Sequence, residues 1–226
     1  MSVNPQQTQD AGVFSVWLEQ TRLSMQTHAG SDVACGDCNA CCSSAYFIHV
    51  RAHESASLKR IPKTVLVDAP GWPAGDKLMG YTQQGHCPML QQGRCQMYAQ
   101  RPQTCRDYDC RVFAATGLQA GAKDKQAINM QIRRWRFSYP TAQDELAQQA
   151  VRQAVDFIRQ HAASFPGGRV PQDPTQLALL ALKVYPVFMQ HKPAQTYSPA
   201  EARDLASAII ASARAFDAQI QAVRRT

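Results

Sequence analysis

The chain has 226 residues, of which 45% are hydrophobic, and a formal charge of +7 at pH 7. This length suits one ordinary domain, or a small domain with an elaboration, and the apolar content excludes a disordered chain. Residues 1–10 are polar and lack the basic start and apolar stretch of a signal peptide, so we expect a soluble, cytoplasmic protein with reduced thiols.

Residues 11–28 predict a helix, because one set of side chains recurs at helical spacing and would share a face. That set is Phe14, Trp17, Leu18, Thr21 and Met25. Residues 35–111 follow and are rich in Gly, Pro and short polar stretches, which are typical of turns and loops. We expect this segment to bury little apolar surface by itself, so that a metal tying its loops together would supply the missing stability.

Residues 127–139 have a mixed periodicity that fits either a strand or a continued helix. The C-terminal third predicts helices over 141–161, over 175–185 until Pro186 ends or kinks it, and from Pro199 to about Arg224. Ser198 and Glu201 have the spacing of a capping box before the last helix. In the first of these helices we expect one set of residues to face inward: Leu146, Ala150, Val151, Ala154, Val155 and Ile158. The most apolar stretch is too short and interrupted to span a bilayer, which needs about 20 apolar residues.

All eight cysteines lie in residues 35–110, and the first four form the run Cys35-x-x-Cys38-x-x-Cys41-Cys42. A Cys-x-x-Cys pair places two sulfur atoms on one side of a tight turn, which suits a tetrahedral ion or a cluster. Because adjacent side chains diverge, we expect Cys42 to turn to a second site or stay free. The remaining candidate metal ligands are Cys87, Cys95, Cys105 and Cys110. Eight thiols are enough for two four-thiolate sites, or for one site with spare redox-active thiols.

Three arginines that lie among the later cysteines, Arg94, Arg101 and Arg106, are candidates for binding the cofactor. Four thiolates on a dication leave a double negative charge, which nearby guanidinium groups would compensate while donating hydrogen bonds to sulfur. We expect Tyr108 to pack around the same centre and shield it. If eight thiolates hold two dications, the charge of the chain falls to about +3, so a nucleic-acid partner is not expected.

The identity of the metal stays open at this point. The spacing of Cys35, Cys38 and Cys41 matches the first three ligands of the bacterial ferredoxin pattern, and Cys87 is followed by Pro88 as the last ligand of that pattern is. The same Cys-x-x-Cys spacing is equally typical of zinc ribbons, so spacing alone does not decide between an iron–sulfur cluster and zinc.

Three motifs follow one another in residues 35–110: Cys35-x-x-Cys38-x-x-Cys41-Cys42, Cys87-Pro88-x-Leu90 and Cys95-x-x-Tyr98-x-x-Arg101-Pro102-x-x-Cys105-Arg106-x-Tyr108-x-Cys110. Their order resembles the CxxCxxCC cysteine-cluster family, which is described as chelating zinc or iron and includes a domain of the flagellin lysine N-methylases. The resemblance implies that these cysteines bind metal. It does not by itself imply methylation, because many members are short proteins of unassigned activity.

We therefore expect a mainly α protein in which an irregular cysteine-rich module packs against N- and C-terminal helices. The expected segments are an N-terminal helix over 1–34, the module over 35–111 and a helical region over 112–226, together forming one compact domain. The expected function is metal binding through thiolates, with an iron–sulfur cluster ahead of zinc. The alternatives are a subunit or relative of an iron–sulfur lysine N-methyltransferase, and a zinc-organised module that docks a protein or RNA. No catalytic residue is identified, and a protein partner stays open.

Overall fold

The computed structural model describes residues 8–31, 33, 35–190 and 196–223. The backbone forms two compact units. The helical unit consists of Met1–Thr27, Cys110–Ala120 and Ile132–Thr226, and the cysteine unit of His28–Asp109 and Gly121–Gln131. The chain thus passes from the helical to the cysteine unit twice. The division into an N-terminal helix, a module and a C-terminal region stays a prediction.

The described residues form eight α-helices and seven short strands, so the fold is mainly α, as predicted. None of these helices is long and apolar enough to cross a membrane. In chain order the elements are β1 (Gln9–Val13), α1 (Phe14–Thr27), β2 (Ile48–Val50), α2 (Ser55–Arg60), β3 (Leu66–Asp68), β4 (Lys77–Met79), β5 (Leu90–Gln91), β6 (Arg94–Cys95), α3 (Gln103–Asp107), α4 (Arg111–Thr116), α5 (Gln126–Ile132), β7 (Trp135–Ser138), α6 (Ala142–Gln160), α7 (Pro174–Gln190) and α8 (Pro199–Val223).

The helical unit is built on α1, which confirms the helix predicted near the N-terminus. Phe14 is fully buried, and its ring lies 5.1 Å from that of Phe137 and 5.8 Å from that of Tyr139. The preceding strand β1 pairs in parallel with β7, from Gln9 opposite Trp135 onwards. Residues 127–139 therefore contain both of the alternatives that the sequence left open, a helix (α5) and then a strand (β7).

Helix α6 confirms the prediction for 141–161, with a capping box between Thr141 and Asp144 at its start. The prediction was wrong for Leu146, which is 51% exposed. The buried stripe of this helix instead begins at Ala147 and continues through Ala150 and Ala154. Small side chains in this stripe let a neighbouring helix approach closely. Leu146 lies beside the stripe and is therefore exposed.

Helix α7 continues to Gln190, so Pro186 does not end it. A proline inside a helix leaves the carbonyl four residues earlier without its usual donor, which here is the carbonyl of Leu182. Arg22 of α1 supplies the replacement by donating from Nη1 to this oxygen, and at 2.8 Å to the carbonyl of Lys183. The last helix starts with the predicted capping box, in which the Ser198 N–H donates to Glu201 at 2.8 Å. Its predicted end at Arg224 lies outside the described residues.

The cysteine unit contains a three-stranded antiparallel sheet in the order β2-β4-β3, and the β5–β6 hairpin. It also has an apolar core of its own, so the prediction that this segment buries little apolar surface was wrong. The core residues come from well-separated parts of the segment and are Val50, Ile61, Met79, Met89 and Met97. Because no local periodicity links them, the sequence showed only the turns between them.

Candidate metal centre

The first cysteines lie on a turn that is followed by a short 3₁₀ helix. The Cys38 N–H donates to the Cys35 carbonyl at 2.9 Å, and Gly36 between them has a φ of +53°. Cys41 begins the 3₁₀ helix Cys41–Ser43. None of the eight thiols is in a disulfide. The turn brings the first sulfur atoms into electrostatic range of one another, since Cys38 and Cys41 both raise the pKa of Cys35.

Cys42 and Cys87 are joined through their backbones. The Cys87 N–H donates to the Cys42 carbonyl at 2.7 Å. Interaction with the Cys42 side chain lowers the pKa of Cys41 and of Cys87 to about 7, and the same interactions raise the pKa of Cys42. The expectation that Cys42 turns to a second site or stays free stays a prediction.

The next two cysteines rest on the apolar core of the cysteine unit. Cys87 and Cys95 are partly buried and pack against it. In the β5–β6 hairpin, Cys95 lies opposite Leu90. Burial raises the pKa of Cys95, and the neighbouring sulfur atoms of Cys87 and Cys41 raise it further. The two thiols therefore lie against the same apolar core.

Cys105 is positioned by helix α3. The helix begins where the Gln103 N–H donates to the Glu54 carboxylate at 2.6 Å, and the Thr104 hydroxyl donates to the His49 carbonyl at 2.7 Å. Burial raises the pKa of Cys105 to about 12, and the charges of Cys41, Cys87 and Cys95 add to this effect. Cys105 therefore shares an electrostatic environment with cysteines from three other parts of the chain.

The thiols are neighbours, but they are not arranged to hold a single metal ion. Burial, together with Cys38 and Cys41, raises the pKa of Cys35 to about 11. Within the described ranges, however, no three Cys, His, Asp or Glu side chains are arranged so that they could hold one metal ion. The donor type fits a thiophilic metal, whereas the spacing requires the sulfur atoms to move before a single ion could bind to three of them.

Among the predicted arginines, Arg101 is the one whose charge lowers the pKa of Cys35, Cys95 and Cys105. Its guanidinium lies 3.7 Å from the centre of the Tyr98 ring, and its Nε donates to the Tyr98 carbonyl at 3.1 Å. Arg94 and Arg106 are exposed. The predicted compensation of thiolate charge by Arg94, Arg101 and Arg106 stays a prediction.

Tyr108 is half-buried, and its hydroxyl lies 3.3 Å from that of Tyr46. The ammonium group of Lys125 lies 4.1 Å from the centre of the Tyr46 ring. Lys125 is a residue that the sequence reasoning missed. It lies 15 residues after the last cysteine, and nothing in the local pattern around it indicates a role.

Cys110 belongs to the helical unit, unlike the other seven cysteines. It is 9% exposed and precedes α4 as its N-cap residue. The indole Nε1 of Trp135 donates a hydrogen bond to its sulfur atom at 3.1 Å. The Cys110 thiol thus already accepts a hydrogen bond within the protein. Its role as a metal ligand stays a prediction.

Comparison with known proteins gives one match. Residues 34–131 match the CxxCxxCC family, described as "Putative zinc- or iron-chelating domain". No curated protein and no solved structure shows significant similarity to the chain. The matched segment starts just before Cys35 and ends within α5, and it supports metal binding at the level of zinc or iron. Residues 34–131 of this chain are therefore similar to the CxxCxxCC domain.

Proposed function

We propose that the cysteine unit binds iron or zinc through cysteine thiolates, with an iron–sulfur cluster as the preferred form. The observation that carries the proposal is that cysteines outside any disulfide come together from separate parts of the chain: Cys87 is hydrogen-bonded through its backbone to Cys42, and Cys87 and Cys95 pack against one apolar core. Scattered buried cysteines have no reason to collect in this way, because a lone cysteine packs like any small apolar side chain. Cys110 remains a proposed ligand on the basis of its place in the sequence motif.

The spacing of the thiols favours a cluster. A single zinc ion needs its sulfur ligands about 2.3 Å from one centre, hence in contact with one another. A cluster carries its own sulfide and holds its protein ligands farther apart. In the described part of the chain, no three donors have single-ion geometry, yet Cys105 still responds to the charges of Cys41, Cys87 and Cys95. The spacing of Cys35, Cys38 and Cys41 and the Pro88 that follows Cys87 match the bacterial ferredoxin pattern, which supports the cluster.

Zinc is the second candidate, because the Cys-x-x-Cys spacing is equally typical of zinc ribbons. The Cys87 N–H donates to the Cys42 carbonyl at 2.7 Å, so Cys41, Cys42 and Cys87 would supply three of the thiolates once their sulfur atoms move. A fourth thiolate from Cys95, which packs on the same core as Cys87, would complete such a site. Structural zinc would then fasten the turn at Cys41–Ser43 to the core of the cysteine unit.

The test is purification without oxygen, followed by measurement of iron, zinc and acid-labile sulfide on one sample. The preferred form predicts a brown protein with broad absorption at roughly 400 nm and matching iron and sulfide. A colourless protein with stoichiometric zinc would show that the centre is the zinc site and not a cluster. Protein without either metal, which also fails to bind them when they are supplied, would contradict the proposal.

Cys38→Ala is the matching variant, because Cys38 lies inside the turn that collects the first sulfur atoms. We expect it to lose most of the bound metal. Asp37→Asn is the control, since Asp37 is the exposed neighbour of Cys38 and carries no sulfur. Full metal content in Cys38→Ala would show that the ligand assignment is wrong.

A further inference from the structure

We propose that Lys125 is a positioning residue of the metal centre, which holds the turn after Cys42 in the shape that places Cys42 against Cys87. The inference rests on the proposed function and adds a residue from outside the cysteine motif. Lys125 comes from Gly121–Gln131, the second passage of the chain through the cysteine unit.

The ammonium group of Lys125 is bound to the turn by two short hydrogen bonds. Its Nζ donates to the Ser44 carbonyl at 2.6 Å and to the Ala45 carbonyl at 3.0 Å. The side chain is only 12% exposed, and Nζ lies 2.9 Å from the Asp124 carboxylate. A buried ammonium group needs such partners, because an unpaired charge away from water is strongly unfavourable. The contacts therefore hold the lysine and the turn together.

The turn needs an external partner because its backbone is strained. Ala45 has a φ of +47°, in the left-handed region that non-glycine residues rarely adopt. This conformation is unfavourable for a residue with a Cβ atom. It also leaves two successive carbonyls, those of Ser44 and Ala45, directed at one point. A lysine, with three rotatable donors, fits that arrangement of acceptors.

The same turn determines how Cys42 meets Cys87. The Ala45 N–H donates to the Gly85 carbonyl at 2.8 Å, and the Cys87 N–H donates to the Cys42 carbonyl at 2.7 Å. Two parallel connections thus join residues 42–45 to residues 85–87. If Ala45 left the left-handed region, the first connection would break. Cys42 and Cys87 would then be held together by the second connection alone.

Tyr46 makes a second contact with Lys125. The Tyr46 ring faces the ammonium group at 4.1 Å, which is a favourable cation–π distance. Its hydroxyl lies 3.3 Å from that of Tyr108, three residues after Cys105. Lys125 is thus connected, through one aromatic pair, to the segment that carries Cys105. Residues that orient ligands in this way typically contribute about 10- to 100-fold to metal affinity.

The test compares Lys125→Met with Lys125→Arg, using Co²⁺ as the probe because its thiolate complexes are coloured. Lys123→Met is the matched control, since Lys123 is exposed and lies two residues away. We expect Lys125→Met to weaken Co²⁺ binding about 10- to 100-fold and to change the thiolate-to-cobalt absorption bands. Lys125→Arg, which keeps a charged donor, should recover part of the affinity, and Lys123→Met should match the wild type.

A role limited to folding would give a different result. Lys125→Met would then lower the melting temperature of the metal-free protein, while the folded protein kept the wild-type affinity and spectrum, and this result would overturn the proposal. If Lys125→Met does not fold, Lys125→Gln, which keeps a neutral donor, replaces it, and wild-type affinity in that variant overturns the proposal as well. A wild-type protein that binds no metal contradicts the proposed function itself. Equal binding by wild type and Lys125→Met contradicts only the role of Lys125.

Discussion

Arg22 of α1 donates a hydrogen bond to the carbonyl of Leu182, the oxygen that Pro186 leaves without its usual donor in α7. The guanidinium also lies 4.7 Å from the centre of the Phe216 ring on α8. Burial lowers the pKa of Arg22, although this group stays charged at any ordinary pH. One side chain therefore connects three helices at the point where α7 lacks a backbone hydrogen bond.

Replacing Arg22 by Met should lower the free energy of unfolding by about 1–3 kcal/mol, because the Leu182 carbonyl is then buried without a donor. In the Pro186→Ala background the residue at position 186 has its own N–H, which can serve this carbonyl. The same Arg22→Met change should therefore cost less there. Denaturant unfolding of the wild type, the two single variants and the double variant measures the coupling between Arg22 and Pro186. If Arg22→Met costs the same free energy of unfolding in both backgrounds, Arg22 does not act through this oxygen.

The thiols of the metal-free protein should react with iodoacetamide at unequal rates at pH 7. Cys41 is exposed and has a pKa of about 7, so a large fraction of it is thiolate, the reactive form. Cys105, with a pKa raised by burial to about 12, is almost entirely protonated. Mass spectrometry of peptides after brief labelling should find Cys41 modified well before Cys105. Uniform labelling of the two would contradict the electrostatic arrangement described for the centre.

Removing the charge of Arg101 should weaken metal binding more than removing that of Arg94. The charge of Arg101 partly offsets the burial that raises the pKa of Cys35, Cys95 and Cys105, whereas Arg94 is exposed in the β5–β6 hairpin. We expect Arg101→Met to reduce affinity by about tenfold and Arg94→Met to have little effect. Competition with a chelator of known affinity measures both variants. A larger loss of metal affinity in Arg94→Met than in Arg101→Met would show that Arg94, and not Arg101, compensates the thiolate charge.

Asp144 should make the stability of the helical unit depend on acid pH. Its carboxylate accepts hydrogen bonds from Ser15 at 3.0 Å and from the Thr141 hydroxyl at 2.6 Å, and these bonds lower its pKa below the ordinary value of 3.8. Because the pKa is lower in the folded protein, the stabilisation is fully present above the unfolded pKa. It is lost as the pH falls below 3.8 towards the folded pKa.

Melting temperatures measured between pH 7 and pH 2 test this dependence. Asp144→Asn should melt at a lower temperature at pH 7 and lose less on acidification than the wild type does. Asp156→Asn is the control, because Asp156 is an exposed residue of the same helix. If Asp144→Asn and the wild type lose stability in parallel as the pH falls, Asp144 is not the group responsible.

Elements with local signals could be predicted from the sequence. The capping box at Ser198 and Glu201 and the amphipathic stripe of α6 lie within a few residues, so each is visible without knowledge of the fold. Leu146 was misplaced because the neighbours of α6, not its own periodicity, decide which stripe is buried. The pairing of β1 with β7 joins residues more than 120 positions apart, and no local pattern encodes it.

The candidate site, too, could be predicted from the sequence only where its features are local. The cysteine spacing indicated a metal centre, because thiols at two-residue intervals are a local feature. The meeting of Cys42 with Cys87 depends on a strained turn at Ala45, and the partner of that turn, Lys125, is 80 residues away. Such a contact follows from the path of the chain, so the sequence left open which thiols are neighbours.

The measurement that tests thiolate coordination most directly is X-ray absorption at the edge of the metal that the protein contains after anaerobic purification. We expect a first shell dominated by sulfur, at about 2.3 Å for a metal held by cysteines. A shell made only of oxygen or nitrogen atoms, at about 2.0–2.1 Å, would contradict it, because the cysteines would then not be the ligands.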